Sequence, residues 1–186
     1  MILINIIGFL LFVFTILLFL VFIINLIIFF TKKKPFPKKL LLATLTSVIL
    51  FIGLFIYRNY FFTFEAINRE YTQKGPGPLS SPTEKYTANA LFEPYGGAAG
   101  GVNVWVEITY NTEGNKVKTV YYGDANSNFS MEWMDDDTLS ILNNEPEYPT
   151  SNRSIELEIG KEIYHESGLA CKSLLMKDEY EKCYQD

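Results

Sequence analysis

Lys32-Lys33-Lys34-Pro35-Phe36-Pro37-Lys38-Lys39 packs five lysines and two prolines into eight residues, and a long apolar run flanks it on each side. Prolines break a helix and clustered lysines resist burial, so the segment reads as a hinge between two apolar helices rather than as part of either. Upstream, Met1 to Phe30 has no charged side chain; Asn5, Gly8, Thr15 and Asn25 alone interrupt Leu, Ile, Phe and Val. As a helix this run would extend roughly 45 Å against a hydrocarbon core of ~30 Å, so it spans with tilt or overhang. It lacks the basic start and small-residue end of a cleaved signal peptide.

Downstream of the hinge, Leu40 to Tyr57 is broken only by Ala43, Thr44, Thr46, Ser47 and Gly53, which predicts a second span. Tyr57, Tyr60, Phe61 and Phe62 are placed to form an interfacial aromatic belt at its end. Gly53 and the small polar residues offer a face on which the two helices can pack closely. The hinge lysines, absent before the first span, orient the hairpin with residues 32–39 in the cytoplasm and both termini outside. The expected localisation is therefore a multi-pass cell-membrane protein with extracytoplasmic termini. The lysines also suit anionic headgroups of the lipid bilayer.

Charge is segregated along the chain. All 21 acidic residues lie from Glu65 onward, against eleven Lys and Arg from Arg58 onward. An acidic surface repels phosphate backbones, so nucleic acid is not an expected partner. Residues 63–83 include Gly75-Pro76-Gly77-Pro78-Leu79-Ser80-Ser81-Pro82, a stretch rich in turn and breaker residues, and are read as a stalk.

From residue 84 the pattern alternates with period two. Val102, Val104, Val106, Ile108 and Tyr110 share one face of a strand, and the Glu113-Gly114 turn leads into Lys116 to Gly123. Phe129, Met131 and Trp133 alternate with polar residues, Asp135-Asp136-Asp137 turns the chain, and Thr138 to Leu142 completes a second hairpin. Ile155, Leu157 and Ile159 mark a further strand, and Lys85 to Glu93 an earlier one, about six in all. The expected architecture is a membrane helical hairpin (1–62), the stalk, and a small mainly-β domain (84–186). That domain would be an antiparallel meander, sandwich or partly open barrel with a short C-terminal helix. About 100 residues are too few for a propeller.

Cys171 and Cys183, in a domain placed outside the cytoplasm, are expected to form a disulfide. A continuous helix would hold them ~18 Å apart, so the chain must reverse between them; Asp178 with Glu181 is read as a capping box opening a short helix there.

Candidate chemistry is sparse. His165 is the only histidine and has no nucleophile motif beside it. It is read as a polar residue closing a strand, with an envelope hydrolase using His165 and carboxylates such as Asp124 or Glu132 as the alternative. Asp124, Asn126, Asn128, Ser130, Glu132 and Asp135 follow calcium-loop spacing, but Phe129 stands where the loop requires glycine. An Asx-rich turn accounts for the same letters without metal, and no cofactor is expected. The Gly96–Gly101 loop lacks the following helix and Lys-Ser/Thr pair of a phosphate cradle. Tyr95, Gly97, Gly100, Trp105, Tyr121 and Tyr122 are instead the expected binding surface, if the aromatics are exposed, for a cell-envelope protein or glycan.

Three runs carry a family resemblance: Glu93-Pro94-Tyr95-Gly96-Gly97-Ala98-Ala99-Gly100-Gly101-Val102-Asn103-Val104-Trp105-Val106, Asp124-Ala125-Asn126-Ser127-Asn128-Phe129-Ser130-Met131-Glu132-Trp133, and Asn152-Arg153-Ser154-Ile155-Glu156-Leu157. With Cys171 near the end, they resemble a family of uncharacterised small membrane proteins of Bacillus-type bacteria, a domain of unknown function. The resemblance implies a Gram-positive membrane setting and no established activity. The expected function is a non-catalytic, membrane-anchored binding, sensing or accessory module.

Overall fold

The computed structural model describes residues 2–32, 34–66 and 70–186. The chain divides into two compact units, Met1–Phe61 and Phe62–Asp186.

The first unit is a hairpin of two helices, α1 (Ile2–Lys32) and α2 (Lys38–Tyr60). Both are long and apolar enough to cross a membrane. Pro35 and Pro37 keep the link short and non-helical, as the hinge reading requires; Lys33 lies outside the described residues. The helices meet through Thr15 and Ser47, whose hydroxyls are 2.5 Å apart, and through Phe12 and Phe51, with ring centroids at 5.5 Å. Thr44 and Ser47 are the buried residues of α2, and the Thr44 hydroxyl donates back to the Leu40 carbonyl. A Cβ on Gly53 would meet nothing within 4 Å, so that glycine is not required for close approach of the helices.

The second unit is a sandwich of two open sheets. Its larger sheet holds β1 (Gln73–Lys74), β2 (Leu79–Ser80), β3 (Tyr86–Pro94), β4 (Val102–Tyr110), β5 (Lys116–Asp124), β9 (Glu162–His165) and β10 (Lys182–Tyr184). The smaller sheet is β6 (Asn128–Trp133), β7 (Thr138–Asn144) and β8 (Ile155–Glu158), in that order. Period-two alternation aims Tyr86, Ala88, Ala90 and Phe92 of β3 at the smaller sheet, each opposite an apolar residue of β4: Tyr110, Ile108, Val106 and Val104. Phe129 meets Phe92 edge-on at 5.5 Å and Trp133 stacks on Tyr86 at 6.0 Å. Leu139, Ile141 and Leu157 complete this core layer.

The opposite face of the larger sheet is covered too. Trp105 lies between Leu91 and Tyr122 on that face and is fully buried. Phe62, Phe64 and two short helices, α3 (Leu169–Lys172) and α4 (Leu174–Glu179), belong to the same core, contributing Ala170 and Met176. Phe62 is therefore a core residue of the second unit, not part of an aromatic belt; Tyr57, Tyr60 and Phe61 do remain exposed.

Four further expectations are corrected. Ten strands stand among the described residues where about six were read, because β1, β2 and β10 are only two or three residues long and β9 only four. Residues 73–80, read as stalk, lie along the sheet edge: Gln73 and Lys74 pair with Phe92 and Leu91, and Leu79 and Ser80 with Ala88 and Thr87. Ile67 to Arg69 of the expected stalk (63–83) lie outside the described residues. Antiparallel order also gives way at one edge, where β9 runs parallel to β5 and β10 parallel to β9. Each of these parallel pairs is joined by a long crossover, which parallel strands need: β6–β8 in the first case, α3 and α4 in the second. Finally, α4 opens at Ser173, whose hydroxyl accepts from the Met176 N–H, so Asp178 sits inside the helix and does not start it.

Candidate functional site

The expected binding residues part company in the fold. Tyr95 is exposed, whereas Trp105 and Tyr121 are wholly buried on opposite faces of the larger sheet and Tyr122 is half-buried. Burial holds Tyr121 well above the usual phenol range and pushes Tyr122 up to about 12, mainly through loss of solvation. Trp105 Nε1 has no acceptor among the described residues. These aromatics hold the core together and do not form one exposed surface.

The glycine loop is tied rather than open. Gly96 and Gly97 have φ of 73° and 64°, a region costly for any side-chain-bearing residue. The Tyr95 N–H donates to the Gly101 carbonyl at 2.9 Å, and the Tyr95 hydroxyl donates to Asp124 Oδ1 at 2.9 Å. A Cβ on Gly100 would sit 1.5 Å from the Tyr95 carbonyl oxygen. The glycines let Tyr95 fold back over its own loop.

His165 occupies the centre of an aromatic box. Phe62 meets it edge-on at 5.0 Å, Phe64 stacks at 5.9 Å and Tyr122 lies at 5.0 Å. Burial lowers its pKa to about 4, so the ring is neutral at physiological pH. Its neighbour Glu166 points the other way: Glu166 Oε2 accepts from the Asp124 N–H at 2.6 Å and Oε1 pairs with Arg153. Glu132 is exposed on β6 of the smaller sheet. Histidine and carboxylates are thus directed apart, and no cavity described in the protein is lined by His165.

The calcium-spaced residues are occupied by the fold itself. Asn126 bonds Asn143 and the Ser151 carbonyl, Asn128 bonds Asn144, and Ser130 and Glu132 lie along a straight strand. Asp135 Oδ1 accepts from the N–H groups of Asp137 and Thr138, which holds its carboxyl below the usual range. Among the described residues no cluster of acidic, histidine and cysteine side chains could hold a metal ion. Cys171 and Cys183 are at bonding distance, with Cα atoms 5.1 Å apart, and fasten α3 to β10.

Two features were not legible as sites. One is a polar junction between the sheets. Asn143 donates to the Tyr121 hydroxyl and to the Asp124 carbonyl, while Arg153 joins Glu166 and Asp186, and the Tyr164 hydroxyl donates to Asp186 at 2.7 Å. Its members come from five separated stretches, so no local spacing announces it.

The other is a cavity of about 330 Å³ beside β5. β9 continues the sheet only beside Tyr121 and Tyr122, and next to Lys116–Thr119 the chain places Thr63–Glu65 and α4 instead. Phe64, Met176 and Tyr180 give the cavity an apolar floor, and Glu65, Lys116, Lys118 and Glu179 a charged rim. Lys118 Nζ is 2.6 Å from Glu179 and stands over the rings of Tyr110 and Tyr180 at 5.5 and 5.6 Å. An apolar floor with a balanced rim suits a small amphiphilic group, and its described lining contains no histidine.

A family model described as "Family of unknown function (DUF5412)" matches residues 36–152, more than half of the chain. No curated protein matches the chain, and no solved structure does.

Proposed function

The chain belongs to the DUF5412 family, whose function is unknown, and from that premise we propose that it is a membrane-anchored, non-catalytic binding or accessory module. Its β-rich unit works outside the cytoplasm, both termini lie on that side, and the hinge 32–39 faces the cytosol. The ligand is a cell-envelope protein or glycan.

The observation that carries this reading is the Cys171–Cys183 pair. Two cysteines separated by twelve positions are held at bonding distance across a chain reversal, an arrangement that persists in an oxidising compartment and not in the cytosol. The five hinge lysines support the same orientation. For binding rather than hydrolysis, the support is that His165 is walled by rings and Glu166 is committed to Arg153 and the Asp124 amide.

The test is maleimide labelling of intact cells carrying Lys34→Cys or Asp136→Cys with the native pair retained. Labelling at 136 and protection at 34 is the expected result. The opposite pattern, or labelling of the native cysteines without reductant, overturns the orientation.

A further inference from the structure

We propose that Leu174, Leu175 and Val117 form a docking surface by which the β-rich unit rests on the lipid bilayer that holds α1 and α2. The inference rests on the reading of α1 and α2 as membrane spans. It begins from an inverted helix: α4 buries Met176, yet its first two residues, Leu174 and Leu175, are 51% and 47% exposed. Val117, 52% exposed, lines the same cavity mouth as Leu175. Leu174 and Leu175 are consecutive and Leu175 shares a cavity lining with Val117, and apolar side chains exposed in this way need a partner that water does not supply.

Chain continuity identifies the partner. Ser173, immediately before Leu174, donates its buried hydroxyl to the Phe62 carbonyl at 2.7 Å. Phe62 follows Tyr60, the last residue of α2, by only two positions. Whatever the arrangement of the two units, two peptide links reach no more than about 8 Å, so the leucines are pinned beside the point where the chain leaves the apolar helix. Thr63, Phe64 and Glu65, the next residues along, line the cavity whose mouth Val117 and Leu175 share.

Charge around the patch is mixed. Lys116, Lys172 and Lys177 are exposed there, and so are Glu65, Asp178 and Glu179, the last paired with Lys118. The surface therefore does not select anionic lipid by net charge; its apolar side chains enter the headgroup region while the lysine stems lie along it. Three half-exposed side chains would hold a free protein only weakly. A covalent tether supplies the effective concentration that makes so small a surface sufficient.

The experiment uses the full chain in phosphatidylcholine nanodiscs, with single nitroxide labels on Leu175→Cys, Val117→Cys, Leu45→Cys and Tyr148→Cys and the native disulfide intact. Collision with oxygen reports lipid, and collision with a water-soluble nickel chelate reports solvent. The expected result is an oxygen-dominated response at 45, 117 and 175 and a nickel-dominated one at 148. Adding Leu174→Asp, at a position already exposed and outside the core, should turn 117 to the nickel-dominated class. Lipid contact at 45 with solvent contact at 117 and 175 overturns the docking surface alone. Solvent contact at 45 overturns the spanning reading as well. Protection from both reagents at 117 and 175 overturns lipid in favour of a protein covering the patch.

Discussion

Asn143 of β7 donates from Nδ2 to the hydroxyl of Tyr121 of β5 at 2.7 Å, with neither side chain reaching solvent. The same amide donates to the Asp124 carbonyl at 2.8 Å, and its Oδ1 accepts from the Asn126 N–H at 2.8 Å. One buried side chain thus satisfies three partners. Asn143→Ala should destabilise the β-rich unit by about 3 kcal/mol, and Tyr121→Phe by about 1 to 2 kcal/mol, since a stranded buried polar group costs more than the bond itself. Chemical denaturation followed by tryptophan fluorescence measures both. Additive losses in the double variant would refute the coupling.

His165 makes stability depend on pH in a defined direction. Its pKa is about 4 in the fold and ~6.5 in an unfolded chain, so between these values the unfolded state binds the proton and the folded state does not. Stability is therefore fully present above pH ~6.5 and falls as pH drops toward 4, by about 3 kcal/mol in total. As the sole histidine, it gives a single imidazole NMR signal that should stay neutral down to pH 5. Denaturation midpoints at pH 7 and pH 5 should differ for the native chain, and His165→Phe should narrow the difference.

The glycines of the Tyr95 loop should not be equivalent. Gly100→Ala places a methyl group against the Tyr95 carbonyl and should unseat the loop, whereas Gly97→Ala meets no atom within 4 Å and carries only the cost of its positive φ, about 1 kcal/mol. Tyr95→Phe loses one exposed hydrogen bond to Asp124, about 0.5 to 1 kcal/mol. Limited proteolysis near residue 98 should rank Gly100→Ala as cleaved first. Equal cleavage of the two glycine variants would contradict the close approach.

Reducing the Cys171–Cys183 pair should lower stability by about 3 kcal/mol on the chain-entropy account of a twelve-residue loop. The first element to loosen should be β10, whose three residues pair with β9 along one edge only. Amide exchange at Lys182 to Tyr184, compared with and without reductant, is the direct measurement.

Elements with their own periodicity were legible. The apolar helices, the β4–β5 and β6–β7 hairpins and the Asp135 turn follow from local spacing, and the cysteine pairing from the cysteine count and the expected compartment. The rest was decided at long range. Residues 73–80 carry breaker residues yet lie in the sheet because β3 offers an edge, and the register of β9 depends on a crossover that local pattern does not encode. Trp105 and Tyr121 show why exposure was not legible: an aromatic on a strand reads the same in a core as on a face. The polar junction joins Asn143, Arg153, Glu166 and Asp186, and the cavity joins residues near 64, 117 and 176; neither is contiguous in sequence.

The bond from Ser173 to the Phe62 carbonyl also sets the order in which the molecule can be made. Phe62 and Phe64, the first residues of the β-rich unit, complete their core only against His165 and the helices that follow it. Synthesis must therefore pass α4 before this domain can close. Until then its earliest aromatic residues stay unburied, and the nascent chain offers chaperones and proteases their longest window at the residues that follow α2 in the chain.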